Sequence, residues 1–204
     1  MTEEEARAWI SARYDVSRET LLQRFADAVV AETANQNLVS ASSIGQLWAR
    51  HIVDSAQLVA FAGKHDGPWI DIGTGAGFPG LVVGILVDRP VVLIEPRRKR
   101  AAFLEAVVDS LGLSPRVAVV CARAAQYRGT AAVISARALA ALPEALAMGA
   151  HLSTTKTAWI LPKGPRAEEE VAAARQTWHG TFHVEQSITD PHSLIITAKG
   201  VARR

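Results

Sequence analysis

Trp69-Ile70-Asp71-Ile72-Gly73-Thr74-Gly75-Ala76-Gly77-Phe78-Pro79-Gly80 reads as a buried strand that runs into a glycine-rich turn and opens a helix. Glycines at such a position let the main chain turn tightly and approach a ligand closely. Pro79 suits the first turn of the following helix, whose free N–H groups would face that ligand. Two ligand classes fit the glycines in different registers. Gly75-x-Gly77-x-x-Gly80 satisfies a dinucleotide fingerprint, a weak signal when it stands alone. Asp71-x-Gly73-x-Gly75-x-Gly77 instead puts a carboxylate two residues before the first glycine.

Asp71 tilts the choice. Like charges a few ångströms apart cost on the order of 1–4 kcal/mol when partly solvated, so a pyrophosphate would be repelled there. A cationic amino-acid and sulfonium ligand would be attracted, which favours S-adenosylmethionine over a nicotinamide or flavin. A structural glycine turn that binds nothing is the third reading. Glu95 ends the next strand candidate, Val91-Val92-Leu93-Ile94-Glu95. An acid about 20 residues past the glycines accepts hydrogen bonds from ribose hydroxyls, so it supports a nucleoside ligand of either class.

Outward from the turn, short apolar runs at Trp69–Ile72, Val91–Ile94, Val117–Cys121 and Ala131–Ile134 are strand candidates. Helix candidates at Pro79–Val87 and Arg97–Leu111 lie between them, the second stopped by Gly112. Strands alternating with helices imply a parallel sheet covered on both faces. Phe182–Glu185 and Leu194–Ala198 follow as two consecutive strands, a terminal hairpin. The expected fold is α/β: a Rossmann-like, mostly parallel seven-stranded sheet of the class I S-adenosylmethionine-dependent methyltransferase type. A helical extension over 1–66 should pack on this core, 67–204, with Gly63-Lys64-His65-Asp66-Gly67-Pro68 as the break. In the extension, Thr2 and Glu5 have capping-box spacing ahead of Ala6, Trp9, Ile10 and Tyr14. Ser17 is placed to cap a second helix with Leu21, Leu22, Phe25, Ala26, Val29 and Val30 on one face, interrupted at Asn35-Gln36-Asn37. Ser42 or Ser43 restarts a helix carrying Ile44, Leu47, Trp48, Ile52 and Ala56.

At 204 residues the chain suits one compact unit, and a net charge of +2 is too small for bulk nucleic-acid coating. Any RNA contact must come from a local patch. The single cysteine, Cys121, excludes an intramolecular disulfide and is expected to be a buried strand thiol in a reducing compartment. The acidic start Met1-Thr2-Glu3-Glu4-Glu5 lacks a signal-peptide apolar region, and no apolar run approaches the ~20 residues of a membrane span. These features predict a cytoplasmic protein with no membrane partner. No coiled-coil pattern appears, and a monomer is expected. His179 and His183 are four apart on a stretch that reads as extended and lack a cysteine partner, so no metal is predicted.

Three stretches resemble the RsmG (GidB) family of small-subunit rRNA guanine-N7 methyltransferases, over about Asn37 to Lys199. Asn37-Leu38-Val39-Ser40 and Arg50-His51-Ile52-Val53-Asp54-Ser55 are similar to its N-terminal signature. Asp71 to Gly80 is similar to its methionine-binding turn, including Phe78 before Pro79-Gly80. Ser135-Ala136-Arg137-Ala138 and Leu161-Pro162-Lys163-Gly164 resemble two later motifs. The resemblance implies methylation of one guanine at N7 in 16S rRNA near the decoding region, on naked 16S rRNA or the small ribosomal subunit. It places Gly73 and Phe78 in the cofactor pocket beside Asp71, Gly75, Gly77 and Glu95, with Ala124 and Ala125 at the adenine. The family pattern has Glu where this chain has Ala125, and the Gln126 carbonyl oxygen is a candidate replacement acceptor.

The resemblance also implies that Arg137 reaches the cofactor or the target base, a role in which it suits an anchor for phosphate, carboxylate or base edge. Asn37 and His51 are the further catalytic candidates; His51 and Asp54 share a helix face and could equally tie the extension to the sheet. Arg97-Arg98-Lys99-Arg100 is the densest basic run and, with Lys163, the expected RNA contact through Arg97 and Arg98. A solvated helix face is the competing reading of that run.

Overall fold

Thr2 accepts the N–H of Glu5 at 3.1 Å while the Glu5 carboxylate accepts the N–H of Thr2 at 2.7 Å, so the predicted capping box opens helix α1 (Glu3–Ser11). In this computed structural model, which describes residues 1–63 and 67–204, α2 (Val16–Gln36) follows after a short turn. Its cap is Asp15 rather than the expected Ser17: the Asp15 carboxylate accepts the N–H of Arg18, and Ser17 merely bonds that carboxylate. Leu22, Phe25, Ala26 and Val29 are buried as expected, but Val30 is 41% exposed because it falls just off the buried stripe. Asn37 ends α2 in the left-handed conformation, φ +49°. The chain restarts at Ser40, not Ser42 or Ser43, in a one-turn helix Ala41–Ile44. It then forms a π-helical segment, Trp48–Val53, that runs on through Asp54–Ala56 and a 3₁₀ turn Gln57–Phe61. The expected boundary between 66 and 67 lies outside the described residues.

The sheet contains β1 (Trp69–Ile72), β2 (Val91–Ile94), β3 (Val117–Val120), β4 (Val133–Ser135), β5 (Ala158–Lys163), β6 (Trp178–Gln186) and β7 (Leu194–Arg203). Between them run α3 (Gly80–Leu86), α4 (Arg98–Ser110), α5 (Leu142–Gly149) and α6 (Ala167–Thr177). The strand order is β3-β2-β1-β4-β5-β7-β6, parallel except for β7, which pairs antiparallel with both β5 and β6. The order reverses at β1, where an open parallel sheet leaves a crevice at its carboxyl edge.

Side chains alternate along the inner strands. Trp69, Val91 and Leu93 join the core under α1, α2, α3 and α4, whereas Ile70, Ile72, Val92 and Ile94 join the core under α5 and α6. One apolar cluster therefore runs without interruption from Ala6 and Phe25 of the extension to Leu81 of α3 and Leu104 of α4.

β3 is an edge strand with one half-covered face, and the strand ends at Val120. Cys121 lies beyond it and is exposed, which corrects the buried-thiol expectation. β5 was not foreseen as a strand because Pro162 sits inside it. Pro162 is tolerated because β4 pairing stops at Ile160, so the side lacking an N–H faces no neighbour there. Among the described residues no helix is long and apolar enough to cross a membrane.

Candidate active site

The carboxyl edge of β1 and the π-helical segment of the extension enclose a cavity of about 790 Å³. Gly73, Thr74, Gly75, Ala76 and Phe78 form its floor. Arg50, His51 and Asp54 descend from above, Arg137 and Ala138 close one side after β4, and Thr189 to Ser193 of the β6–β7 connection contribute the rim. This size falls within the ~300–1,000 Å³ of small-ligand sites.

Packing explains two glycines of the turn. A Cβ at Gly77, already at φ +100°, would sit 2.8 Å from the Phe25 ring of α2. At Gly80 it would sit 2.6 Å from the Asp71 side chain. No larger residue fits either place without moving the floor.

Asp71 is fully buried beneath that floor and does not line the cavity. Its carboxylate accepts the Ser135 hydroxyl at 2.6 Å and the N–H of Gly80 at 3.0 Å, and Ser135 in turn accepts the indole N–H of Trp69. Burial raises its pKa above the ordinary carboxylate value, opposed first by the Ser135 hydrogen bond. The structure thus makes Asp71 a brace joining β1, β4 and the start of α3, not a charge facing the ligand.

Glu95 is 3% exposed and accepts the N–H groups of Gly75 at 2.9 Å and Arg97 at 2.8 Å. It stands at the end of β2 beside the glycine turn. Ala124 and Ala125 lie on a 3₁₀ turn, Ala124–Gln126, beyond β3 and outside the cavity wall. The Gln126 carbonyl oxygen accepts the N–H of Arg123 at 3.0 Å, so it is already engaged.

Arg137, His51 and Asp54 come together from positions more than eighty residues apart. The Arg137 guanidinium donates to Asp54 at 3.1 Å, to the Arg50 carbonyl at 3.2 Å and to His51 Nδ1 at 2.9 Å. Phe78 supports both: the His51 ring stacks on it with centroids 5.0 Å apart, and the Arg137 guanidinium carbon lies 5.2 Å from its centroid. A guanidinium can only donate, so His51 Nδ1 must accept and its proton must reside on Nε2. That Nε2 is buried and, among the described residues, has no hydrogen-bond partner. Burial, then the charges of Arg137 and Arg50, push the His51 pKa down to about 3, leaving a neutral ring.

Asn37 caps α2 and is exposed outside the wall, while its neighbours Leu38, Val39 and Ser40 line the cavity. Arg97 and Arg98 are exposed at the start of α4, and Arg100 reaches the cavity. Lys163 is engaged internally: its Nζ contacts Glu170 at 2.8 Å and donates to the Ala140 carbonyl. Sequence reasoning missed Thr189 and Ser193, whose hairpin carries no motif, and Glu3, which holds the π-helical segment. The Glu3 carboxylate accepts the N–H groups of Trp48 at 3.0 Å and Ala49 at 2.7 Å. Among the described residues no group of three or more His, Cys, Asp or Glu could hold a metal ion.

The family described as GidB, rRNA small subunit methyltransferase G, matches residues 18–193. The chain belongs to this family. Ribosomal RNA small subunit methyltransferase G of Sphingopyxis alaskensis is 44% identical over 201 residues, covering 97% of this chain and 86% of the relative. Its counterpart in Erythrobacter litoralis is 42% identical over 204 residues, covering 99% of this chain and 98% of the relative. Among solved structures, the ribosomal protein L11 methylase of Lactobacillus delbrueckii subsp. bulgaricus superposes with TM-score 0.55 at 14% identity, covering 74% of this chain and 77% of that one. A glycopeptide N-methyltransferase complexed with S-adenosylmethionine gives 0.58 at 9% identity, covering 73% and 93%. At such identities the likeness concerns the fold: the class I methyltransferase architecture is shared.

Proposed function

We infer that this chain transfers the methyl group of S-adenosylmethionine to N7 of one guanine in 16S rRNA, near the decoding region. It is an S-adenosylmethionine-dependent 16S rRNA (guanine-N7)-methyltransferase. Membership of the GidB family over residues 18–193 carries this reading. The site chemistry supports it: the glycine turn offers main chain to a methionine moiety, and the buried Glu95 carboxylate suits a ribose diol. The adenine would then extend past the cavity wall toward the turn bearing Ala124 and Ala125. We place the reaction in the cytoplasm, where 16S rRNA and the small subunit are found.

When bound, S-adenosylmethionine supplies a methyl on a sulfonium sulfur, which an in-line nucleophile takes as the carbon–sulfur bond breaks and a thioether leaves. Guanine N7 carries a lone pair and no proton. The chain therefore needs groups that orient and exclude water, not a base. The Arg137–His51–Asp54 cluster matches that need, because its imidazole is neutral and its guanidinium is compensated by Asp54. His51 can offer only a donor, through Nε2. Asn37 positions the stretch Leu38 to Ser40 rather than acting itself.

The test offers labelled cofactor to small subunits and naked rRNA from cells lacking the enzyme, followed by cleavage specific for N7-methylguanine. One labelled guanine in 16S rRNA is the expected result; label on protein or small molecules overturns the reading. Arg137→Ala should lower turnover on the order of a hundredfold, because mispositioning of reacting groups by about 1 Å has that effect. An unchanged rate removes Arg137 from the site.

A further inference from the structure

Beside the main cavity lies a second one of about 530 Å³, bounded by the loop Ala138–Ala141 after β4, the end of β5 and the start of β7. The two share Asp54, Arg137, Ala138 and Ser193, so the Arg137–Asp54 pair is the partition between them. The glycine turn borders only the first. Charge in the second cavity nearly cancels by pairs. Arg137 binds Asp54 at 3.1 Å, and Lys163 binds Glu170 at 2.8 Å. One charge is left over: Arg166 is exposed, and among the described residues its guanidinium has no ion-pair or hydrogen-bond partner.

An in-line transfer needs donor and acceptor on opposite sides of the travelling methyl. With the cofactor over the glycine turn, the second cavity lies on the far side of the Arg137–Asp54 pair, a side from which an acceptor can approach. We propose that this second cavity is the seat of the RNA acceptor strand, where Arg166 binds a backbone phosphate of the nucleotide being methylated or its neighbour. Arg166 takes the phosphate role that Lys163, tied to Glu170 and Ala140, cannot fill. Arg97, whose N–H bonds Glu95, and Arg98 line neither cavity. The proposal rests on the rRNA-methyltransferase reading above.

The test measures methylation of unmarked small subunits at several salt concentrations by the wild type, Arg166→Ala and Ala141→Trp, the last chosen to fill the cavity from an exposed position. S-adenosylmethionine binding by calorimetry reports on the first cavity in each. Arg166→Ala is expected to raise KM for the subunit about tenfold and to lower the slope of log affinity against log salt by about 1. Ala141→Trp is expected to abolish methylation with cofactor affinity intact. If the wild type methylates the subunit and both variants match it in KM and salt slope, the second cavity is not the acceptor seat. Loss of cofactor binding in both variants also overturns the assignment, since the cavities would not be separate sites. If the wild type places no methyl on rRNA, the functional reading itself fails, a result distinct from either.

Discussion

At the scale of single residues, His51 and Asp71 are ionisable groups of the site that burial shifts toward neutrality. For His51 the folded value is depressed to about 3, below its ordinary 6.5. Between those limits the unfolded chain takes up a proton that the native ring refuses, so stability from the neutral ring is present above 6.5 and lost as pH falls toward 3. Relative to His51→Gln, which can still accept from Arg137, the wild type should therefore lose stability on acidification, by up to about 1.4 kcal/mol per pH unit. Urea midpoints at pH 7.5 and 5 measure this; a pH-independent difference would show that the native ring titrates normally. Turnover should likewise show no limb near the ordinary histidine pKa. For Asp71 the sequence points to a charge facing a ligand, whereas the structure buries its carboxylate beneath the cavity floor. Its spacing before Gly73 is visible in the sequence, but which groups its oxygens meet depends on Ser135 and Gly80, brought there by β4 and α3.

At the scale of elements, the π-helical segment Trp48–Val53 governs the upper wall of the cavity. Trp48 and Ala49 begin it, so their main-chain N–H groups have no partner within the helix, and Glu3 of α1 accepts both. Glu3→Ala should cost about 1–2 kcal/mol, the usual loss for such a cap, and lower turnover more than cofactor affinity. Thermal melting with steady-state kinetics checks both, and an unaltered turnover would mean that the segment holds His51 and Asp54 without its cap. The floor depends on a different contact. Phe25 of α2 is fully buried against Gly77 and Phe78, with the two phenyl centroids 5.1 Å apart. Phe25→Ala should destabilise by about 3–5 kcal/mol and weaken S-adenosylmethionine binding, because the turn loses its support. Urea denaturation and calorimetry test this pair of effects; full cofactor affinity in the variant would show that the turn holds its shape unaided. The predicted helix Pro79–Val87 and the observed α3 nearly coincide because their boundary signals are local. α5 and α6 lie outside the helix candidates: α5 spans only eight residues, and α6 buries only Ala167, Val171 and Ala174.

At the scale of the whole molecule, the extension and the sheet share one apolar cluster, from Ala6 and Phe25 to Leu104. A single cooperative unfolding transition is the expected behaviour, with coincident loss of tryptophan fluorescence and helical circular dichroism. Two separated transitions would instead mark residues 1–66 as an independent unit. The amino-acid sequence by itself determined what depends on neighbours in the chain: the strand–glycine turn–helix of Trp69 to Gly80, the alternation that makes a parallel sheet, the capping box at Thr2, and Glu95 at the end of β2. Those signals are short-range, set by glycine and proline dihedrals and by apolar periodicity. Only the tertiary structure decided that Asp71 braces the fold from below, that Lys163 is paired while Arg166 meets no partner among the described residues, and that Glu3 caps the segment bearing His51. Each of these depends on which partner a charge meets after distant segments pack, and burial then sets the cost of leaving that charge alone.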